Sequence, residues 1–408
     1  MATKEQQAPL WLLLLTPSPS GSSFDALKNA YEPALIQSLQ AVSAATKASG
    51  TTQRMDIALG FSTSGMAKSD PRSSQYSDLH ILLGNMYKLL CMVYSKSTIG
   101  IEFDNDVDAR FILYDPTSDR GICTFNRETL AACRRPWKHI FFMSSDQGRR
   151  LRDTFLQTRE MSQYSFVQGQ DIKDVDTAVD APYSAHGPQS ERISMSHSSR
   201  RHFSVAVGGT FDHLHPGHKL LLSMTASVVE IDPGQPRKLT IGITGDTLLK
   251  KKQYAEHLQD WNQRQECVRD FLLSILEPDA SSESTERNDN QETSARSVRD
   301  ELHSGLIINY VEIFDPFGPT ITDEEISALV ISGETRSGGK AVNDRRAENG
   351  WAPLEIFEVD VLDAGEDKKR GSTEIDFEDK ISSTEIRHQL HRRHAHGSRD
   401  NGTAAQTV

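Results

Sequence analysis

The segment VAVGGTFDHLHPGHKLLL, Val205 to Leu222, gathers residue types that can act on a phosphate. Its apolar start reads as a buried strand ending at Gly208 and Gly209, whose missing side chains let a ligand approach the backbone closely. Pro216 suits the first position of a following helix. Gly217 and His218 then fall in the first turn, where free N–H groups and the helix dipole favour an anion. His215 and His218 stand three apart and can face one pocket. Two imidazoles at a helix N-terminus are what a reaction needs when negative charge builds on a transferring phosphoryl group. A zinc site made of His213, His215 and His218 lacks a fourth ligand nearby, so no residue is assigned to a metal.

A sheet must position such a loop, and the C-terminal half is patterned for one. HFSVAVG, LTIGITG, LIINYVEI, ALVISG and LEIFEVDV read as strands. Between and after them lie helix candidates PGHKLLLSMTASVVEI, WNQRQECVRDFLLSIL (with Asp260 and Gln263 placed for an N-cap) and SSTEIRHQLHRR. The predicted fold class is α/β, a Rossmann-like doubly wound parallel sheet over residues 201–393 that binds ligands at the carboxyl ends of its strands. Residues 1–160 also alternate strand and helix patterns, from WLLLL to HIFFM. They predict an N-terminal α/β extension with no chemical motif. Residues 161–200 read as a disordered linker, 279–301 as a flexible insertion and 394–408 as a disordered tail. Two separately patterned halves predict that residues 198–395 fold alone, and that the insertion can be deleted.

Composition excludes several classes. The 408 residues carry 45 basic and 57 acidic side chains, net −12, without the basic footprint of a nucleic-acid binder. The run LWLLLL falls short of the ~18 residues that cross a bilayer, and the TPSPSGSS after it lacks a signal-peptide cleavage pattern. Four scattered cysteines signal neither a disulfide framework nor a zinc site. A cytoplasmic protein with no membrane or nucleic-acid partner is expected, its oligomeric state left open. Asp104, Asp106 and Asp108 imitate a calcium loop, but Ala109 takes the place of its glycine, so they read as solvated turn charges. GETRSGGK, Gly333 to Lys340, imitates a P-loop, but its Lys comes one residue late and Ala341 follows.

GTFDHLHPGH resembles the signature of the nucleotidylyltransferase superfamily, whose HxGH motif is shared in form with class I aminoacyl-tRNA synthetases. TGDTLLKKKQYAEHLQDWNQRQECVRDFL, VISGETRSGGKAVNDRRAENG and ISSTEIR narrow the resemblance to the eukaryotic-type phosphopantetheine adenylyltransferases. The resemblance covers about residues 201–393, and the upstream extension is similar to what fungal members carry. It implies adenylyl transfer from ATP, with Mg2+, to 4′-phosphopantetheine, giving dephospho-coenzyme A and pyrophosphate. It places Thr210 and His218 at the reacting phosphates, and His215 with Gly208 and Gly209 at ATP. Phe211 and Asp212 would line the substrate site beside Thr210. A lysine after the second strand would hold the substrate phosphate: Lys250, Lys251 and Lys252 are candidates, with Lys250 preferred. Ser382, Ser383 and Thr384 would start a helix facing the β- and γ-phosphates, and Arg387, one turn in, would add a bidentate contact. Arg336 and Lys340 would bind the acceptor, although bacterial relatives more often have Arg at the second position, and Glu348 would serve the nucleotide or the pocket wall. The rivals are a cytidylyltransferase, which would usually carry RTxGISTT where this chain has DKISSTEIR, a nicotinamide mononucleotide adenylyltransferase, and a non-catalytic nucleotide-binding regulator.

Overall fold

Short aliphatic runs bounded by Gly, Ser and Asp become strands, and segments with apolar residues three and four apart become the helices between them. The computed structural model describes residues 10–18, 22–62, 69–96, 107–116, 125–162, 170–177, 200–232, 234–278, 296–362 and 382–400. The N-terminal half contains β1 (Leu10–Leu14), α1 (Phe24–Ser49), β2 (Gln53–Gly60), α2 (Tyr76–Lys96), β3 (Val107–Asp115), β4 (Phe125–Asn126), α3 (Arg127–Ala132), β5 (Trp137–Met143), α4 (Asp146–Met161) and β6 (Asp171–Val175). Its sheet is parallel throughout, in the order β4-β3-β2-β1-β5-β6.

The C-terminal half contains β7 (Ser204–Gly209), α5 (Pro216–Val228), β8 (Arg237–Thr244), α6 (Asp246–Leu249), α7 (Trp261–Leu276), β9 (Ser297–Glu301), β10 (Leu306–Ile313), β11 (Ala328–Ser332), α8 (Arg336–Glu348), β12 (Glu355–Val359) and α9 (Ser383–Asp400). Its order is β12-β11-β7-β8-β10-β9, parallel except for the edge strand β9. The chain winds outward from β7 to one side through β8 and β10, then returns to place β11 on the other. The carboxyl end of β7 therefore lies at the point where the order switches, which is where open α/β sheets hold ligands. The five strands expected in this half are all present, and α7 begins with the Asp260–Gln263 capping box.

Three of the expected unstructured regions need correction. Residues 171–175 of the supposed linker form β6, which pairs with β5. Residues 297–301 of the supposed insertion form β9 against β10, so only 279–295 of it lies outside the described residues. The supposed tail is helical as far as Asp400. Both strands were concealed by charge: SVRDE and DIKDV lie at sheet edges, where one face meets water and apolar residues are few.

The halves are not independent bodies. One apolar core runs from Leu13 and Ile57 of the first sheet, through Leu83 and Leu90 of α2, to Leu221 of α5 and Val207 of the second sheet. Polar ties cross the same boundary. Lys219 donates to Asp108 at 2.5 Å and to the Ala109 carbonyl at 3.0 Å. Arg110 pairs with Asp108 and with Asp270 of α7. Arg135, fully buried, donates to the carbonyls of Ser274 and Glu277 while pairing with Asp56. The Tyr76 hydroxyl donates to the Glu358 carbonyl at 2.8 Å. Asp108 is thus a part-buried member of an ion network rather than a solvated turn charge; Asp104 and Asp106 lie outside the described residues. No described helix is long and apolar enough to cross a membrane.

Candidate active site

β7 delivers the chain to Thr210, and the loop that follows bends through two residues in the left-handed region, Phe211 at φ 53° and His213 at φ 46°. Such positions are strained for residues with side chains and persist only where neighbours enforce them. Here the neighbours are visible. The Phe211 ring is fully buried and folds back under Gly209, where a Cβ would come within 2.9 Å of it. Asp212 accepts from the Gln259 N–H at 3.0 Å and pairs with Arg387 at 2.6 Å, while its carbonyl accepts from the Ser383 hydroxyl at 2.8 Å. The His213 N–H donates to the Gln259 side chain at 2.9 Å, and its ring Nε2 lies 2.8 Å from the His257 carbonyl.

The loop ends at His215, which precedes α5, with Pro216 as the first helical residue. The rings of His215 and His218 stack with centroids 3.8 Å apart, and His218 also lies 5.5 Å from Phe211. Gly217 permits this stack, because a Cβ there would stand 3.2 Å from the His215 ring. The Nδ1 atoms of both histidines are buried, and neither has a hydrogen-bond partner among the described residues. Buried polar atoms are rarely left so, and a pair of them side by side at the carboxyl end of β7 makes this loop the candidate site.

Burial pushes the His218 imidazole down to about 3. It pushes His215 well below its ordinary value too, helped by the positive fields of His218, Lys219 and His213. Both rings are therefore neutral at neutral pH. The unfolded chain, with an ordinary histidine value near 6.5, binds protons that the folded site refuses between about pH 6.5 and 3. Stability should accordingly fall as pH falls through that window. Urea midpoints measured at pH 5, 6 and 7 should drop less steeply for His218→Gln than for the unsubstituted chain; equal slopes would contradict the buried neutral imidazole.

The remaining expected residues divide into two groups. At the same sheet edge, Gly208 is exposed at the end of β7, and Thr210 is partly exposed with its carbonyl held by Arg264 at 2.6 Å. Lys250 caps α6 just beyond β8 and is exposed, as are Lys251 and Lys252. Ser383 ties the start of α9 to the loop, Ser382 caps that helix by accepting from the Glu385 N–H at 3.2 Å, and Thr384 is exposed in its first turn. Arg336 begins α8 at the end of β11 and pairs with Glu358.

Other residues do not serve as expected. Phe211 is sealed in the core and cannot touch an acceptor. The Asp212 carboxylate is buried and fully engaged, so it shapes the loop instead of lining the pocket. Arg387 is its partner: the guanidinium is buried between Asp212, the Gln253 carbonyl and the Thr384 hydroxyl, and holds α9 down instead of offering a fork to phosphate. Lys340 differs from these: its side chain is 81% exposed and pairs with Asp344 one turn further along α8, an exchangeable surface pair. Glu348 is the last residue of α8, roughly 18 Å from Arg336 at the usual helical rise, at the opposite edge of the sheet, and pairs with Arg345.

Arg264 was missed from the sequence. Fully buried on α7, it joins the carbonyls of Thr210, Thr244 and Gln259 to Asp246, fixing the carboxyl ends of β7 and β8 together. The signal was available, since Arg264 shares the helical spacing of buried Trp261, Val268 and Phe271.

A stacked pair of neutral imidazoles on a helix N-terminus, a second helix N-terminus beside it and a lysine-rich turn together fit a site that handles nucleotide phosphates. Residues 206–389 match the family described as Cytidylyltransferase-like, and residues 1–180 match a Domain of unknown function (DUF8446). The chain belongs to the nucleotidylyltransferase family through its C-terminal half. The curated relatives include proteins named Phosphopantetheine adenylyltransferase. That of Saccharomyces cerevisiae is 34% identical over 208 residues, 51% of this chain and 55% of that one. The protein of that name from Pyrococcus abyssi is 31% identical over 183 residues, covering 45% of this chain and 87% of that one. An uncharacterized Schizosaccharomyces pombe protein is 35% identical over 209 residues, 50% of this chain and 54% of that one. The match spans about half the length of the two fungal relatives.

Proposed function

We propose that this chain transfers the adenylyl group of ATP to 4′-phosphopantetheine, giving dephospho-coenzyme A and pyrophosphate. The observation that carries the reading is the stacked, uncharged His215–His218 pair with its unpartnered Nδ1 atoms at the carboxyl end of β7. The names of the relatives that match the same half support the choice of acceptor.

In the proposed reaction a phosphate oxygen of phosphopantetheine bonds to the α-phosphorus of ATP as the bond from that phosphorus to the bridging oxygen breaks, and pyrophosphate leaves. The acceptor is already an anion, so no side chain need remove a proton from it. The site's task is to hold two polyanions together and to spread the charge that develops between them. A neutral imidazole can still serve, because it keeps one N–H that donates to a phosphate oxygen. His218 and Thr210 take the reacting phosphates, His215 and Gly208 the nucleotide, and Lys250 or a neighbouring lysine the acceptor phosphate. The start of α9, with Ser382, Ser383 and Thr384, takes the β- and γ-phosphates.

Magnesium would accompany ATP as its charge carrier. Asp212 and Asp246, beside this machinery, are engaged by Arg387, Arg264 and Arg296, so neither is free to hold the ion. Its ligands would be triphosphate oxygens and water, and no step is assigned to it. The location we propose for the reaction is the cytoplasm.

Pyrophosphate release with a panel of nucleotides and acceptors tests the reading. ATP with 4′-phosphopantetheine should release pyrophosphate and form dephospho-coenzyme A by mass spectrometry, without coenzyme A. Release only with CTP, or only with nicotinamide mononucleotide, would make it a different nucleotidylyltransferase. Nucleotide binding with no turnover on any acceptor would make it a regulator.

A further inference from the structure

A second cluster of chemistry-bearing side chains lies where α9 meets the 3-10 turn Ala255–His257. His391 Nδ1 lies 2.9 Å from Glu256 Oε1, and His257 Nε2 lies 3.8 Å from the same oxygen. One ligand atom from each of Glu256, His257 and His391 falls within 4.8 Å of the others. A fourth imidazole position is close by, since the His394 ring is 5.0 Å from that of His257. His391 and His394 are three apart on α9 and share a face.

We propose that Glu256, His257 and His391 form a binding site for a borderline divalent transition ion such as Zn2+, with water or His394 as the fourth ligand. An ordinary surface ion pair uses one histidine per carboxylate. Here two imidazoles converge on one oxygen. Tetrahedral Zn2+ with N and O ligands at about 2.0–2.1 Å sets its ligand atoms roughly 3.4 Å apart. The separations to the carboxylate oxygen, 2.9 and 3.8 Å, bracket that value, and with every pair inside 4.8 Å the closure asks for a shift of at most about 1.4 Å, within reach of side-chain rotation. Imidazole nitrogen selects zinc, nickel, copper or cobalt over magnesium and calcium, which prefer oxygen alone.

The position gives such an ion a consequence. α9 carries Ser382, Ser383 and Thr384 at its start, and the His257 carbonyl touches His213 of the strained loop. An ion joining His257 to His391 would clip α9 to the turn that supports this loop. It would bind the folded protein in preference to the unfolded chain and so raise its stability.

The test uses the full chain and metal alone, with no nucleotide, and so does not depend on the proposed reaction. Calorimetric titration with Zn2+ should show about one site with a dissociation constant on the order of 10 µM or tighter. Co2+ should give the visible absorption of a four-coordinate ion, and Zn2+ should raise the melting temperature. His257→Ala, His391→Ala and the shape-preserving Glu256→Gln should each weaken Zn2+ binding at least about tenfold and abolish the melting shift, with circular dichroism unchanged. Binding of equal strength in His257→Ala/His391→Ala, or no binding tighter than about 100 µM in the unsubstituted chain, would overturn the proposal.

Discussion

Replacing His218 by alanine should lower kcat for pyrophosphate release by about 10²–10³-fold, the usual cost of removing one donor that acts on transition-state charge. The ring sits on the first turn of α5, stacked on His215 and neutral, so the substitution removes a donor without stranding a charge. It also empties a small space beside Phe211, which should cost some stability but leave the far-ultraviolet circular dichroism unchanged. ATP should still bind, because His215, the start of α9 and the exposed lysines remain. The discriminating result is a fall in kcat with a nearly unchanged dissociation constant for ATP. If kcat stays within a few-fold, His218 belongs to the fold and not to the chemistry.

The second large effect concerns the boundary between the halves. Asp108→Ala leaves the Lys219 ammonium without a carboxylate, beside an Arg110 guanidinium that keeps only Asp270. Burial alone would raise the Asp108 carboxyl, yet Arg110 and Lys219 together pull it well below the usual carboxylate range. Breaking a fully buried pair costs roughly 3–5 kcal/mol. Because the Asp108 side chain keeps 25% exposure, about 2–4 kcal/mol is the expected loss, read from urea unfolding. Adding Lys219→Met should recover part of it by removing one stranded charge. A loss below about 0.5 kcal/mol would place the network among ordinary surface pairs. The same boundary bears on the expectation that residues 198–395 stand alone, which expression of that span would test. A chain shortened to that span would expose Leu221 and leave Lys219 without Asp108.

How much of this was readable depended on how local its cause was. The five strands of the C-terminal sheet, the capping box of α7 and Pro216 at the head of α5 all follow from spacings of two to four residues. The gathering of Thr210, His215 and His218 with Ser382 to Thr384 was also anticipated, although only through family resemblance, since the two segments lie far apart in the chain. What escaped was long-range charge. Arg387 reads as a phosphate ligand on its own helix, and only the fold reveals that Asp212, 175 positions away, already holds it. Asp108 reads as a turn residue until Lys219 arrives from the other half. Charged residues carry no period that distinguishes a solvated face from a partner across the core.

The left-handed bends at Phe211 and His213 have a bearing on how this signature travels between proteins. Each such bend costs on the order of 1–3 kcal/mol, and the loop contains little that could offset the cost from within. Its shape is imposed from outside by Gln259 and Arg264 to one side and by Ser383 and Arg387 to the other. The ten residues GTFDHLHPGH, grafted onto another strand–helix junction without these partners, would be expected to relax. In this chain the shape of the motif is a property of three segments, two of them some fifty and one hundred and seventy positions downstream.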